Sequence, residues 1–382
     1  MPPERVDPEL VEFDVRTDEV LINMGPQHPS THGVLRVLLR ADGELVKGVE
    51  PHIGYLHRCA EKIGENVSAR QWIPYTDRMD YLAAMGNNLG ISLAVERLMN
   101  LEVPPRATVL RVIVNELNRI ASHLIAFGTY GMDIGAFTPF LYAWREREMI
   151  LNLFEYICGA RMTFNYIRIG GVSFDADAKF VDMTRKFLEW FAPRIKEYHD
   201  LLSYNQIFIT RTKGVGVIPP ELAVTWGLSG PMLRASGVNW DIRKAIPYCG
   251  YESYQFDVPL GRNDIGVIGD NWNRYFVRIE EMQQSSRIVS QALDSLPSGP
   301  YQAKIKKIKP PKGEAYVRIE NPRGELGFYV ISDGSETPLR IKVRAPSFIN
   351  LSILPEVSRN VLVADLIAIL GSTDIVLGEI DR

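Results

Sequence analysis

From Pro104-Pro105 onward, Val109, Leu110, Ile113, Val114, Leu117, Ile120, Leu124 and Ile125 recur with helical period, and no glycine or further proline interrupts them before Gly128. This predicts one helix of about seven turns, opened by proline and ending near Gly128 or Gly131. So long a helix needs neighbours along its sides, and the rest of the chain offers them. A preceding helix, capped by Thr76 or Asp77, carries Tyr81, Leu82, Met85, Leu89, Leu93 and Val95. A third is expected from about Thr138 to Cys158, with Glu146, Arg147 and Glu148 on its polar side. A fourth runs from about Ala176 through Leu202 with a step at Pro193, and a fifth lies near Asn271 to Leu296.

Strand patterns flank this helical region. The first 50 or so residues read as strands, and Glu314–Glu320, Gly327–Ser332 and Leu339–Arg344 alternate. The expected fold class is therefore α+β, a central long-helix bundle with a small N-terminal sheet and a small C-terminal sheet. Residues 1–53 form an N-terminal β region with a hairpin loop, and 54–300 the bundle, with an irregular segment at 205–270 where glycine and proline are dense. Residues 301–382 form a C-terminal αβ region.

Composition removes several function classes. With 46% hydrophobic and 23% charged residues over 382 positions the chain is globular, and a net charge of −3 gives no nucleic-acid footprint. The Lys304–Lys312 run, beside Pro310 and Pro311, reads as a solvated linker. Met1-Pro2-Pro3-Glu4 does not open a signal peptide, which points to the cytoplasm. The strongest apolar stretch, Val361–Leu370, is about half a membrane span and contains Asp365, so bilayer contact would come through partners. Cys59, Cys158 and Cys249 are far apart and form neither a disulfide framework nor a Cys-x-x-Cys pair. Iron–sulfur clusters need about four thiolates, so the chain cannot hold one alone.

Chemistry concentrates in Gly25-Pro26-Gln27-His28-Pro29-Ser30-Thr31-His32-Gly33, a loop that two prolines keep from being helical, between two strand-like runs. His28 and His32 have a four-residue spacing, but without a helix or a third ligand a metal site does not follow. His28 reads as a ligand of loop backbone groups; His32 is either that or an exposed donor. Asp80, in Arg78-Met79-Asp80-Tyr81, is explained by a helix start. Tyr81 is either core or a buried phenol that offers its hydroxyl to a ligand carbonyl. Asp133, placed just past a long helix, is either a solvent-facing carboxylate or the partner of a histidine.

Taken together, the 25–33 loop, His52-Ile53-Gly54-Tyr55-Leu56-His57-Arg58, Glu61-Lys62, Arg78-Met79-Asp80-Tyr81, Asn165–Gly171, Leu233–Gly237, Arg323-Gly324-Glu325 and Arg344–Phe348 resemble one family, the D subunits of the proton-pumping NADH:quinone oxidoreductases of respiratory complex I. The resemblance runs from about residue 20 to the end. It implies a fold like the large subunit of nickel–iron hydrogenases, which hold metal through two Cys-x-x-Cys pairs. Here those places fall on Asp80 and Ala83, and on Val376 and Glu379, so all four thiolates are missing and soft-metal binding is excluded.

What the resemblance implies instead is a quinone headgroup, with His32 and Tyr81 hydrogen-bonded to its two carbonyl oxygens, Asp133 paired to His32, and Val376 in the cavity wall. Loss of the His32 proton would change the surroundings of Asp133, a first step in signalling to a proton pump. By the same resemblance, quinone is the expected substrate, and no metal or cluster is expected in this chain. The electron donor is a 4Fe-4S cluster in the adjacent B subunit, beside which Arg58 would lie; its alternative role is a salt bridge to Glu61 or Glu65. The implied partners are the B, C and I subunits and the membrane-embedded H subunit, and the place the cytoplasmic side of the cell membrane, peripherally. Three features depart from the family pattern: Cys59 where glycine is usual, read as a small packing change by a buried thiol; Thr163 where a histidine is common; and a shorter segment after Pro300. A redox-inert scaffold that docks cluster-bearing partners is the alternative reading.

Overall fold

The computed structural model describes residues 19–28, 31 and 33–382. The glycine- and proline-rich loop does tip a hairpin. Strands β1 (Val20–Met24) and β2 (Arg36–Asp42) pair antiparallel with Met24 opposite Val37, and β3 (Leu45–His52) continues the sheet. Leu35, Val37, Leu39 and Ala41 alternate inward, which fixes the register by burying one face.

Two short helices, α1 (Ala60–Ile63) and α2 (Ala69–Thr76), lead to α3 (Ala84–Met99). The start expected at Thr76 or Asp77 is thus corrected. Ser68 and Gln71 form a capping box for α2, Asp77 ends that helix, and Tyr81 lies in the turn before α3.

Helix α4 (Pro105–Asp133) runs unbroken for 29 residues, and Asp133 is its last residue rather than the start of the following loop. It packs against α5 (Thr138–Cys158) closely enough that a side chain at Gly128 would meet the Phe140 backbone at 3.0 Å. Gly159, left-handed, ends α5 where expected. Of its expected polar side only Glu148 is exposed: Glu146 and Arg147 are buried, and Glu146 accepts hydrogen bonds from Tyr198 at 2.8 Å and Arg145 at 2.6 Å.

A two-stranded ribbon, β4 (Ile167–Arg168) and β5 (Gly171–Val172), precedes α6 (Ala178–Tyr198), which contains Pro193 and continues into a π-helical turn at His199–Ser203. The irregular stretch holds four short helices, α7 (Gln206–Thr212), α8 (Pro220–Thr225), α9 (Pro231–Ala235) and α10 (Ile242–Ala245). Helix α11 (Asn271–Asp294), capped by Asp270, lies along α4.

Strands β6 (Gly313–Asn321), β7 (Gly324–Ser332) and β8 (Arg340–Arg344) form the second sheet, against which α3 packs. After α12 (Pro346–Ser352) and α13 (Leu354–Val357), β9 (Val361–Leu362) pairs with β3, so the end of the chain returns to the first sheet. The apolar 361–370 stretch is this strand plus most of α14 (Val363–Thr373), and α15 (Leu377–Asp381) closes the chain. No helix among the described residues is long and apolar enough to cross a membrane.

Candidate functional site

The turn between α2 and α3, the β6–β7 turn and the α14–α15 connection meet around one guanidinium. Arg323 donates to Asp80 Oδ2 at 2.8 Å, to Ser122 Oγ of α4 at 3.1 Å and to Asp374 Oδ1 at 3.3 Å. The other Asp80 oxygen accepts from the Leu82 and Ala83 amides, both at 3.2 Å, an Asx-type turn that orients the carboxylate and sets Tyr81 beside it. Arg278 of α11 approaches Asp374 Oδ2 to 3.6 Å.

Asp80, Ala83, Val376 and Glu379, the four positions at which the resemblance sets the missing thiolates, are all buried. The first and last segments are in contact. A side chain at Gly378 would meet the Met79 carbonyl at 2.5 Å, so only glycine lets α15 pack onto the 78–80 turn. The Val376 amide donates to Ser347 Oγ at 3.2 Å, and the Ser347 amide to Glu379 Oε1 at 2.9 Å; Glu379 Oε2 is buried with no partner. A cation already stands among these carboxylates, and it would repel a metal ion.

Burial raises the Asp80 carboxyl above its ordinary value; Arg323 opposes this and Asp374 adds to it. Glu379 is pushed up to about 8 by burial and by Asp80, against the pull of Arg323. The half-buried Tyr81 phenol is also raised, chiefly by burial, with Arg323 pulling it down and Asp80 pushing it up. It therefore stays protonated at neutral pH, with the Arg323 cation nearby.

Asp133 approaches the same cluster from α4. Its Oδ2 lies where a side chain at Gly371 would be, 2.5 Å from that position, one turn of α14 before Asp374. His32 lies outside the described residues. Arg58 sits on an exposed loop clamped by the chain's end: Asp381 accepts from the Gly54 and Leu56 amides at 2.8 and 2.7 Å. Its guanidinium donates to the Arg78 carbonyl at 2.8 Å, not to Glu61 or Glu65, which are taken by Lys342, Arg340 and Lys62. Cys59 is exposed, correcting the buried-thiol expectation, and its φ of 56° is the left-handed geometry that favours glycine.

The family model described as the respiratory-chain NADH dehydrogenase 49 Kd subunit matches residues 133–310 and 301–382. The chain belongs to this family. It is 53% identical over 369 residues to the NADH-quinone oxidoreductase D subunit of Bacillus anthracis, covering 96% of this chain and 100% of that one. The corresponding protein of Solibacter usitatus, numbered 2 among its D subunits, is 54% identical over 365 residues, 95% of this chain and 97% of its own. That of Chlorobium luteolum is 50% identical over 378 residues, 98% and 96%. Within this 49-kDa-type chain, sequence reasoning missed Arg323 and Asp374 as site residues. The Arg323-Gly324-Glu325 block was a signal, but its partner Asp80 is 243 residues away.

Proposed function

We propose that this chain is the quinone-binding subunit of a proton-pumping NADH:quinone oxidoreductase, which donates protons to a quinone reduced by the 4Fe-4S cluster of the B subunit. The observation that carries the reading is the half-buried Tyr81 phenol, held protonated beside the Arg323 guanidinium and a surplus of buried carboxylates. Two-electron reduction would leave a quinone dianion in a poorly solvated site, at a cost only proton donors at both oxygens relieve. Tyr81 protonates one oxygen and His32 the other, with Asp133 paired to His32 and Val376 in the wall.

Arg58 lies on the face turned to that cluster, where a fixed cation favours the reduced state. The B, C, I and H subunits surround the chain on the cytoplasmic side of the membrane. The test replaces Tyr81→Phe and His32→Ala in the assembled complex and measures quinone reduction separately from NADH-driven reduction of an artificial acceptor. Quinone reduction falls by about 10²–10⁴-fold with electron input intact. Quinone reduction that survives both changes leaves the chain a scaffold.

A further inference from the structure

Helix α5 carries an apolar stripe left open to solvent by the described residues. Phe137, Leu141 and Trp144 follow one another at i, i+4 and i+7 and are 69%, 68% and 39% exposed. Trp144 packs edge-on against Phe140, ring centroids 5.5 Å apart, and the Arg147 guanidinium lies 5.0 Å from the centre of the Trp144 ring. Single exposed apolar residues are ordinary, but Phe137 at the cap of α5 and Leu141 and Trp144 on its next turns make a surface.

Arg147 gives that surface its chemistry. Only 6% of it is exposed, its Nε is sealed from solvent without an acceptor, and among the described residues no carboxylate is in ion-pair reach. Its neighbours are treated differently. Arg145 pairs with Glu146 at 2.6 Å and Glu197 at 3.1 Å, and Arg161 with Glu155 at 2.7 Å and with Glu148, although both arginines are far more exposed. Burial pulls the Arg147 guanidinium below its ordinary value, with Glu148 opposing and Arg161 adding to the effect. A nearly buried cation with no carboxylate in reach is unfavourable until something supplies one.

We propose that the Phe137–Leu141–Trp144 stripe is the docking surface for an apolar segment of another subunit of the same complex, which brings a carboxylate onto Arg147. A lipid surface fits less well, because membrane binding uses several exposed cations and the cation here is single and nearly buried. The stripe begins four residues after Asp133, so the partner covers the α4–α5 turn at the site's edge. The inference rests on the proposed assembly, but not on which residues protonate quinone.

The experiment places a photo-crosslinking amino acid at Leu141 in the intact complex and maps the adduct, beside Arg147→Glu, Arg147→Lys and Leu141→Asp. The expected adduct is on an apolar stretch of another subunit with an Asp or Glu within a turn of the crosslink. Arg147→Glu and Leu141→Asp lower the yield of assembled complex about tenfold or more, while Arg147→Lys largely restores it. Leu141 is mostly exposed, so its substitution does not depend on refolding the core. Crosslinking to lipid alone, no crosslink, or wild-type assembly of both acidic variants overturns the proposal. The Tyr81→Phe and His32→Ala assay moves none of these readouts, so the two readings fail separately.

Discussion

Two buried clusters are built from the same side chains and hold protons in opposite ways. Inside the bundle, Glu116 accepts from Tyr251 at 2.6 Å, Ser285 at 2.7 Å, and Arg243 and Arg119 at 3.1 Å. Burial alone would raise its carboxyl, but Arg119 and Arg243 bring it down to about 2. Glu281 is likewise held below its ordinary value against burial, by Arg234 and His123. At the site, Arg323 is shared between Asp80 and Asp374, and Glu379 has one backbone donor and a bare oxygen. There the Asp80 and Glu379 carboxyls go up. The balance of cations and carboxylates decides the sign: two guanidiniums converge on Glu116, whereas one is shared between Asp80 and Asp374. Glu116 and Glu281 belong to a fixed ionic frame, whereas at the site Glu379 keeps a proton near neutrality, in the cluster that holds the phenol proposed to release one.

The largest effect is expected at Arg323. Arg323→Ala removes the guanidinium that Asp80 and Asp374 share and costs about 3–5 kcal/mol at neutral pH, the usual penalty for a buried charge left unpaired. Because Asp80 is already drawn toward its neutral form, this loss shrinks in acid, which thermal denaturation of the assembled complex at two pH values reads directly. Equal losses at both would mean the site is as fully compensated as the bundle.

Amide replacements at Glu116 and Glu379 have unequal effects. Glu116→Gln replaces an ionised acceptor that two arginines need and costs about 3 kcal/mol or more. Glu379→Gln keeps the shape of a group already neutral at pH 7, retains the bond from the Ser347 amide, and costs under about 1 kcal/mol. A large loss for Glu379→Gln would show that this carboxyl is ionised in the folded protein.

The sequence displayed the frame better than the site. The bounds of α5 and the start of α11 were legible because Gly159 and the residues around Asn271 act on their own helices. The start of α3 was not, because Thr76 and Asp77, which look like caps, finish α2, and Asp80 turns one oxygen to the far β6–β7 turn. Glu146 and Arg147 look solvent-facing by type; Tyr198, which bonds to the buried Glu146 carboxylate, sits on α6. Arg323, in Asn321-Pro322-Arg323-Gly324, looks like an exposed turn residue, since local pattern carries no information on a partner 243 residues distant. Tyr81 was found through resemblance, and its setting among the carboxylates only through structure.

The smallest effect is a slope. Glu379 rises from an ordinary 4.5 to about 8 on folding, so the native state holds a proton that the unfolded chain has already released within that window. The stabilisation is complete below about 4.5 and is lost as pH climbs through about 8. Glu116 has the reverse sign: lowered to about 2, it contributes above 4.5 and its contribution is lost as pH falls toward 2. Stability is then bounded on the alkaline side by the site and on the acid side by the bundle. Glu379→Gln removes only the alkaline limb, so melting temperatures of wild-type and variant complexes diverge between about pH 5 and about pH 8 and run parallel below it. If the profiles run parallel throughout, Glu379 does not carry the proton, and the distinction between the two clusters reduces to geometry.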